Sequence, residues 1–568
     1  MNRHSVDILI VGGGAAGLRA ALAAAENYPQ LRIGLISKVY PVRSHTVSAE
    51  GGIAGVMREY DSHEQHCFDT IRGSDYLADQ DAVDFFVTES PKEIIQMEHW
   101  GCPWSREEGG KIAVRAFGGM SVKRTVYAAD KTGFYMLHSL FERTLKYENI
   151  IRFDEWFVTK LITEHQTARS VVAIHLPTGE ISEFAANAII LATGGAGKVY
   201  AFTTNAGIKT GDGMALAYNA GVGLKDMEFV QFHPTGLPRT GILITEGARG
   251  EGGYLLNNKG ERFMKDYLPT KMELGPRDII SRSIISEIKA GRGWKGPYGS
   301  YVHLDIRHLG EKIINERLPL VRECAMDFAG IDPIKEPIPV MPVAHYFMGG
   351  VDTDKDAKTN IAGLFAAGET ACVSMNGANR LGSNSLAECL VFGRVAGEQA
   401  AEFSIKQKKN TSTEASAEAR NEEQRILKLL EKKGTESLAS VREDLQSCMQ
   451  DYVSIERDEK TLQAGITKFN DIKKRAEHIG IHDSSRTFNT DLTGYLELQN
   501  MMIAAEAVIL SAAARKESRG SHFRTDHLER DDANYLHHSL AVKSAEGAMQ
   551  ITKKPVTITK WKPQARAY

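Results

Sequence analysis

Residues 6–26 read VDILIVGGGAAGLRAALAAAE, a β-branched run cut by glycines and continued by an alanine-rich stretch. No other segment limits the fold so tightly. A strand, a sharp turn and a helix must follow one another there, and LRIGLIS (31–37) supplies the second strand of a β-α-β unit. Gly12, Gly14 and Gly17 form GxGxxG. The first glycine permits the tight turn, the second lets backbone approach a pyrophosphate, and the third lets helix and strand touch. The helix start, with Ala16 in its first turn, offers free N–H groups and a partial positive charge to phosphate. The pattern implies dinucleotide binding. The acidic residue expected about 20 positions on, for the ribose hydroxyls, is missing, because the second strand ends Ser37-Lys38. Asp212 in TGDG and Glu369 in AAGE are the candidate ribose ligands, and the missing acid favours FAD over NAD.

At 568 residues the chain exceeds what one core usually supports, so several domains are expected. NAIILATGG (187–195) and GLFAAGE (363–369) read as returning strands of the first sheet, which makes 238–344 an inserted lobe. The resulting expectation is an α/β fold. Residues 1–237 and 345–404 would form a discontinuous Rossmann-like FAD-binding domain, and 238–344 an α+β capping domain. A polar linker or exposed helix start (405–424), a helical domain (425–517) and a C-terminal tail (518–568) with a strand-like VTITKW would follow.

Composition closes off other classes. A net charge of -3 carries no nucleic-acid footprint. Six scattered cysteines have neither CxxC nor iron–sulfur spacing, so no disulfide framework, no metal site and no resident cluster are expected. No stretch reads as the ~20 apolar residues of a membrane-spanning helix, and the start runs straight into a strand, so no cleaved signal is expected. The 52 glycines exceed the roughly 7% background and fall in clusters, which suggests backbone held close to a ligand.

SHTVSAEGG (44–52) places His45 in a loop just after the second strand. Its small neighbours leave room for a flat ring system. The set DILIVGGGAAGLRAA, SKVYPVRSHTVSAEGG, EFVQFHPTGL, TEGARGEGG, MELGPRD, HYFMGGV and NGANRLGSNSL closely resembles the flavoprotein subunit of the succinate dehydrogenase and fumarate reductase family. The resemblance runs in order through nearly the whole chain. It implies FAD attached covalently through His45 to the flavin 8α-methyl. Ser44, Thr46, Glu50, Gly51, Gly52, Ser383, Ser385 and Leu386 would complete the flavin site.

The resemblance also implies a dicarboxylate site of His233, Thr245, His345 and Arg380. An arginine can grip a carboxylate through two parallel N–H···O bonds, and histidine and threonine can donate to its other oxygens. Arg277 would be the acid/base, with His233 beside it and with Glu246 and Arg249 relaying the proton, although Arg249 remains an alternative donor. Implied partners are an iron–sulfur subunit and a membrane anchor with quinone. Such a chain would sit at the cytoplasmic face of a prokaryotic inner membrane. Glu50, ADKTGFYMLH and HLGEKIINERLP tilt the resemblance toward the fumarate reductase branch, with the physiological direction left open. Two alternatives stand: an L-aspartate oxidase-like enzyme, against which His45 argues, and a non-catalytic flavin-binding or assembly protein, against which the intact site set argues.

Overall fold

The computed structural model describes residues 1–407 and 414–566. A five-stranded parallel sheet runs in the order Leu364–Ala366, Ala188–Leu191, Ile8–Val11, Ile33–Ser37, Ile150–Asp154. The two distant segments read as returning strands therefore join the same sheet, Ala188–Leu191 beside the first strand and Leu364–Ala366 beyond it at the edge. Side chains alternate along each strand, so Ile8 and Ile10 enter one core while Leu9 and Val11 enter another. Burial on both faces explains why these strands are apolar throughout.

On one face lie the helices Ala15–Asn27 and Asn384–Ile405. Their approach depends on small residues: a Cβ on Gly393 would fall 2.6 Å from the Ala16 carbonyl oxygen, and one on Gly397 would fall 2.3 Å from that of Ala20. The alanine-rich composition of the first helix is thus a packing requirement. The other face is covered by an antiparallel meander, Trp156–Glu164, Thr167–His175 and Glu180–Ala185, whose last strand pairs in parallel with Asn2–Ser5.

The chain leaves this domain along Val230–Gly236 and returns along Ile338–Phe347, and the two strands pair antiparallel. Between them, residues from Leu237 to Val340 enclose a separate apolar core that includes the helices Arg277–Lys289 and Pro319–Ala329. Asp130 of the sheet domain ties the lobe down by accepting the backbone N–H groups of Leu320 (2.7 Å) and Val321 (3.1 Å) at the start of Pro319–Ala329.

Helices Leu438–Tyr452, Glu459–Glu477 and Thr490–Ala514 follow. The last is long and apolar enough to cross a membrane by length and composition, which the reading of the sequence did not anticipate. Much of it is buried in the protein's own core, including Met501, Val508 and Ile509. Of the two readings of 405–424, the described part follows the helix start more than the linker. Asn384–Ile405 runs into this stretch, and its second half joins the helix Ala417–Leu429, capped where the Ser416 hydroxyl accepts from Ala419 N–H at 3.1 Å. Residues 408–413 of that stretch lie outside the described residues.

In the tail, the strand is Met549–Pro555 and not VTITKW. Beyond it the Gln80 carboxamide oxygen takes the backbone N–H groups of Thr559, Lys560 and Trp561, so those donors serve a side chain in place of a ladder. The strands His537–Lys543 and Met549–Pro555 extend a sheet containing Leu224–Lys225, Gly350–Asp352 and Ala371–Cys372, which stitches the tail back onto the first domain.

Candidate active site

A cavity of about 600 Å³ lies between the parallel sheet and the lobe. At one end its wall is the glycine turn. Gly12 has φ +122°, and a Cβ there would sit 2.2 Å from the Ala192 carbonyl oxygen. Gly14 precedes the helix Ala15–Asn27 without any side-chain cap, which leaves the helix start open to a ligand. Gly17 does not line the cavity; a Cβ there would meet the Gly12 oxygen at 1.9 Å, so its role is helix-to-turn packing. Ala16, Ser37 and Lys38 line the same end. A second helix start, that of Asn384–Ile405, brings Ser383, Ser385 and Leu386 to the wall.

Both proposed ribose acids reach the cavity, and each is already engaged by a lysine. Lys38 Nζ donates to Asp212 at 2.7 Å, to Thr210 at 3.0 Å and to Glu497 at 3.0 Å. Lys209 pairs with Glu369, which also accepts from Phe347 N–H at 3.2 Å. Lys209 was not foreseen, because nothing in its local sequence marks it.

Ser44, His45, Thr46, Glu50, Gly51 and Gly52 line the middle of the cavity. Thr46 Oγ1 accepts the first N–H of the glycine-turn helix at 3.2 Å, which fixes the loop to the phosphate end. His45 Nδ1 and Ser44 Oγ have no partner. Burial, aided by Lys209, pushes the His45 imidazole down to about 3, so it is neutral at pH 7. Burial and the neighbouring Asp130 carboxylate hold the Glu50 carboxyl well above the usual range. An open helix start, a glycine cradle and an unpaired neutral imidazole together fit a dinucleotide cofactor, with His45 beside it.

At the far end the two crossing strands and the lobe converge. Gln231 and His233 are two apart on one strand and so share a face. The ladder pairs Gln231 with Tyr346 and Phe232 with Ala344, so His345 is the extra residue of a β-bulge. Bulges re-aim side chains beside sites, and this one accompanies His345 at the cavity wall, with its Nδ1 hydrogen-bonded to the Thr204 hydroxyl at 2.8 Å. His233 Nδ1 accepts the Thr235 N–H at 3.2 Å, which leaves the proton on Nε2. That Nε2 is buried and unpartnered. Burial and the surrounding guanidinium groups, Arg277 first, hold both histidines well below their ordinary value, so both are neutral donors.

Arg277 opens the lobe helix Arg277–Lys289. Its Nε donates to Glu246 at 2.7 Å and its Nη1 to Gln231 at 2.9 Å. Burial works to raise Glu246, but Arg277 and Arg249 outweigh it and keep the carboxylate below its usual range. Glu246 also accepts Gly118 N–H at 2.5 Å. Thr245 caps the short helix Glu246–Gly250, its hydroxyl accepting Gly247 N–H at 3.2 Å.

Arg249 stands 3.8 Å from Glu246, as the three-residue spacing predicted, but it is wholly buried and does not reach the cavity. Arg380 donates from Nη2 to Gln231 at 3.1 Å and from Nη1 to Ser385 at 3.1 Å. Its guanidinium lies over the Tyr346 ring, 4.2 Å from the centroid. Burial, with Arg277 nearby, lowers Arg380 to about 10, so it stays charged at pH 7.

Gln231 is the functional residue that motif reading missed. Its carboxamide oxygen accepts from Arg277 and Arg380 together, and its amide donates to Asn379 Oδ1 (2.9 Å) and to the Arg380 carbonyl (2.8 Å). The available signal was its position two residues before His233. The arrangement gathers three guanidinium groups around one carboxylate, in a site with two neutral histidine donors. The cavity wall is therefore richer in cations than in hydrogen-bonded carboxylates, which suits a small dianion.

Known proteins match the chain over nearly its whole length. Residues 7–386 match the FAD binding domain family and residues 442–568 the fumarate reductase flavoprotein C-term family. The chain is 52% identical over 576 residues to the fumarate reductase flavoprotein subunit of Mycobacterium tuberculosis, covering 99% of each. It is 43% identical over 586 residues to the succinate dehydrogenase flavoprotein subunit of Rickettsia bellii, covering 99% of this chain and 97% of that one. A solved structure of E. coli quinol fumarate reductase FrdA, in a mutant form, superposes with a TM-score of 0.98 at 48% identity, covering 100% and 99% of the two chains.

The shared acceptor gives a direct test. Gln231→Leu removes the oxygen that serves two buried cations and should lower stability by about 1–3 kcal/mol. Thermal unfolding against the parent protein measures this. An unchanged midpoint would show that Arg277 and Arg380 do not depend on Gln231.

Proposed function

The chain belongs to the flavoprotein-subunit family of fumarate reductases and succinate dehydrogenases, and on that premise we propose that the far end of its cavity binds fumarate and succinate and interconverts them, working in the fumarate-reducing direction. The enzyme is an FAD-dependent oxidoreductase. The observation that carries the substrate assignment is the charge imbalance of Arg249, Arg277 and Arg380 against Glu246. Higher identity to fumarate reductase subunits than to the succinate dehydrogenase subunits supports the direction.

When bound, FAD supplies the two-electron chemistry at the substrate C–H bond. The chain's own residues bind, orient and handle the proton. Arg380, held from three sides by Gln231, Ser385 and the Tyr346 ring, presents a fixed fork to one carboxylate. His233 donates through Nε2, with His345 and Thr245 beside it, so neutral donors complete the grip without adding charge.

Reduction of fumarate adds a hydride to one carbon and a proton to its neighbour. Arg277 is the proton donor in this reading, because it lines the cavity whereas Arg249 does not. A guanidinium is a reluctant acid in water. Here Glu246 lies 2.7 Å from Arg277 Nε, so that after donation it can take a proton delivered from solvent by way of Arg249 and pass it on to Arg277, which restores the guanidinium and leaves the carboxylate ionised again. Closure of the lobe over the sheet domain excludes water and strengthens each of these interactions.

His45 carries the flavin covalently in this proposal, since its ring is neutral and its Nδ1 has no competing partner. Ser44, Thr46, Glu50, Gly51, Gly52, Asp212, Glu369, Ser383, Ser385 and Leu386 would surround the cofactor. Electrons arrive from an iron–sulfur subunit and, through a membrane anchor, from quinol, with the complex held peripherally at the cytoplasmic face. Two exposed aromatic residues, Phe134 and Phe328, sit on the cavity wall and support docking of a partner there.

Protein precipitated in acid should stay yellow, and His45→Ala should release all flavin to the supernatant; free flavin from the unaltered chain would refute the covalent bond. Arg277→Lys cannot keep both of its hydrogen bonds. It should retain flavin while losing about 10²–10⁴-fold in dye-linked fumarate reduction. Near-normal turnover would move the proton donor elsewhere, and activity on aspartate alone would refute the substrate class.

A further inference from the structure

Behind Arg380, away from the proposed substrate, lies a buried carboxyl group that the reaction as described does not use. Glu388 sits in the first turns of Asn384–Ile405 and is 3% exposed. Its Oε2 accepts the Tyr346 hydroxyl at 2.8 Å and the Asn376 amide at 2.9 Å. The Tyr346 ring in turn lies under the Arg380 guanidinium, 4.2 Å from centroid to Cζ. A continuous path therefore runs from the carboxyl, through a phenol, to one face of the guanidinium whose N–H groups grip the substrate in this reading. Phenol donation to an anionic acceptor enriches the ring, and an enriched ring holds a cation more firmly.

We propose that Glu388, acting through Tyr346, is a positioning residue for Arg380 and takes up a proton from solvent when a dicarboxylate binds. The inference rests on the dicarboxylate reading of the site. An ionised Glu388 and a bound dianion are like charges on either side of one arginine. The dianion competes for the field of Arg380 that stabilises the carboxylate, so binding favours the protonated form. Linkage then requires that the protonated enzyme bind the dianion more tightly.

The local groups set the balance near neutrality. Burial raises Glu388 to about 7, against the Asn376 and Tyr346 hydrogen bonds and the positive charge of Arg380, and with the negative charge of Glu369 adding to the rise. Glu369 is itself paired with Lys209. The adjacent Cys389 thiol is pushed up to about 12 by burial, with Glu388 adding to the rise, and Tyr346 is held well above its ordinary value, so neither titrates near pH 7. The two site histidines are held far below neutrality. Dicarboxylate affinity should consequently be highest below pH 7 and weaken as pH rises through the Glu388 transition.

Malonate, a dicarboxylate whose single methylene offers neither a double bond to reduce nor a CH–CH pair to oxidise, is the probe. Calorimetric titration of the flavin-loaded protein at pH 7.5, in buffers of different ionisation enthalpy, counts protons exchanged on binding. The unaltered protein should take up roughly half a proton per malonate. Glu388→Gln keeps a side-chain oxygen for the Tyr346 hydroxyl but cannot titrate, and it should take up almost none. Tyr346→Phe keeps the ring under Arg380 and removes one donor to the carboxylate. It should move the uptake to higher pH. No uptake by the unaltered protein, equal uptake by the Gln variant, or an unmoved profile in the Phe variant would each overturn the proposal. Failure of malonate to bind any form would instead sink the dicarboxylate reading itself, and this inference with it.

Discussion

Three buried guanidinium groups cannot share a dry space with one carboxylate unless something else holds them apart and another anion completes the balance. In this chain Glu246 takes Arg277 and stands near Arg249, while one neutral oxygen, that of Gln231, is shared between Arg277 and Arg380. The remaining architecture serves that cluster. Arg277, Glu246 and Arg249 come from the lobe, whereas Arg380 comes from the sheet domain. Gln231 lies on a strand that joins the two. Substrate charge thus completes an ion cluster that the protein leaves deliberately short of anions.

The same joint explains how the lobe keeps its register on the sheet domain. Two antiparallel strands carry the chain out and back, and His233 and His345, the histidines proposed to meet substrate, sit on those strands and not on the loops beyond them. The bulge at His345 and the Thr235 N–H on His233 are backbone devices that set ring orientation and tautomer. Asp130 clamps the start of a lobe helix from the opposite side. Hence the cofactor end of the cavity is fixed by glycine geometry and helix starts, and the substrate end by ion pairs that cross between parts of the chain.

Local sequence carried the first of these ends almost completely. A glycine turn has a strict steric signature, so Gly12, Gly14 and the strands around them were readable without a structure, as were the distant returning strands. Resemblance to the family placed His45, His233, Thr245, Arg277, His345 and Arg380, and all six line one cavity. What escaped was whatever depends on partners far apart in sequence. Gln231 is unremarkable until Arg277 and Arg380 are folded onto it, Lys38 and Lys209 find their acids across the sheet, and Glu388 acquires its character only from Tyr346 and burial. The polar stretch from 405 hid a helix because its stabilising contacts, such as Ser416 on Glu183, are also non-local.

The central claim is that the excess of positive charge at the cavity wall, carried by Arg277 and Arg380, selects a dianion. Perturbation of the bound-flavin spectrum allows succinate and its mono-amide, equal in size and differing by one charge, to be titrated side by side. Leaving one buried cation unpaired costs about 2–5 kcal/mol, so the mono-amide should bind weaker by at least about 30-fold. Equal affinity for the two would contradict the account.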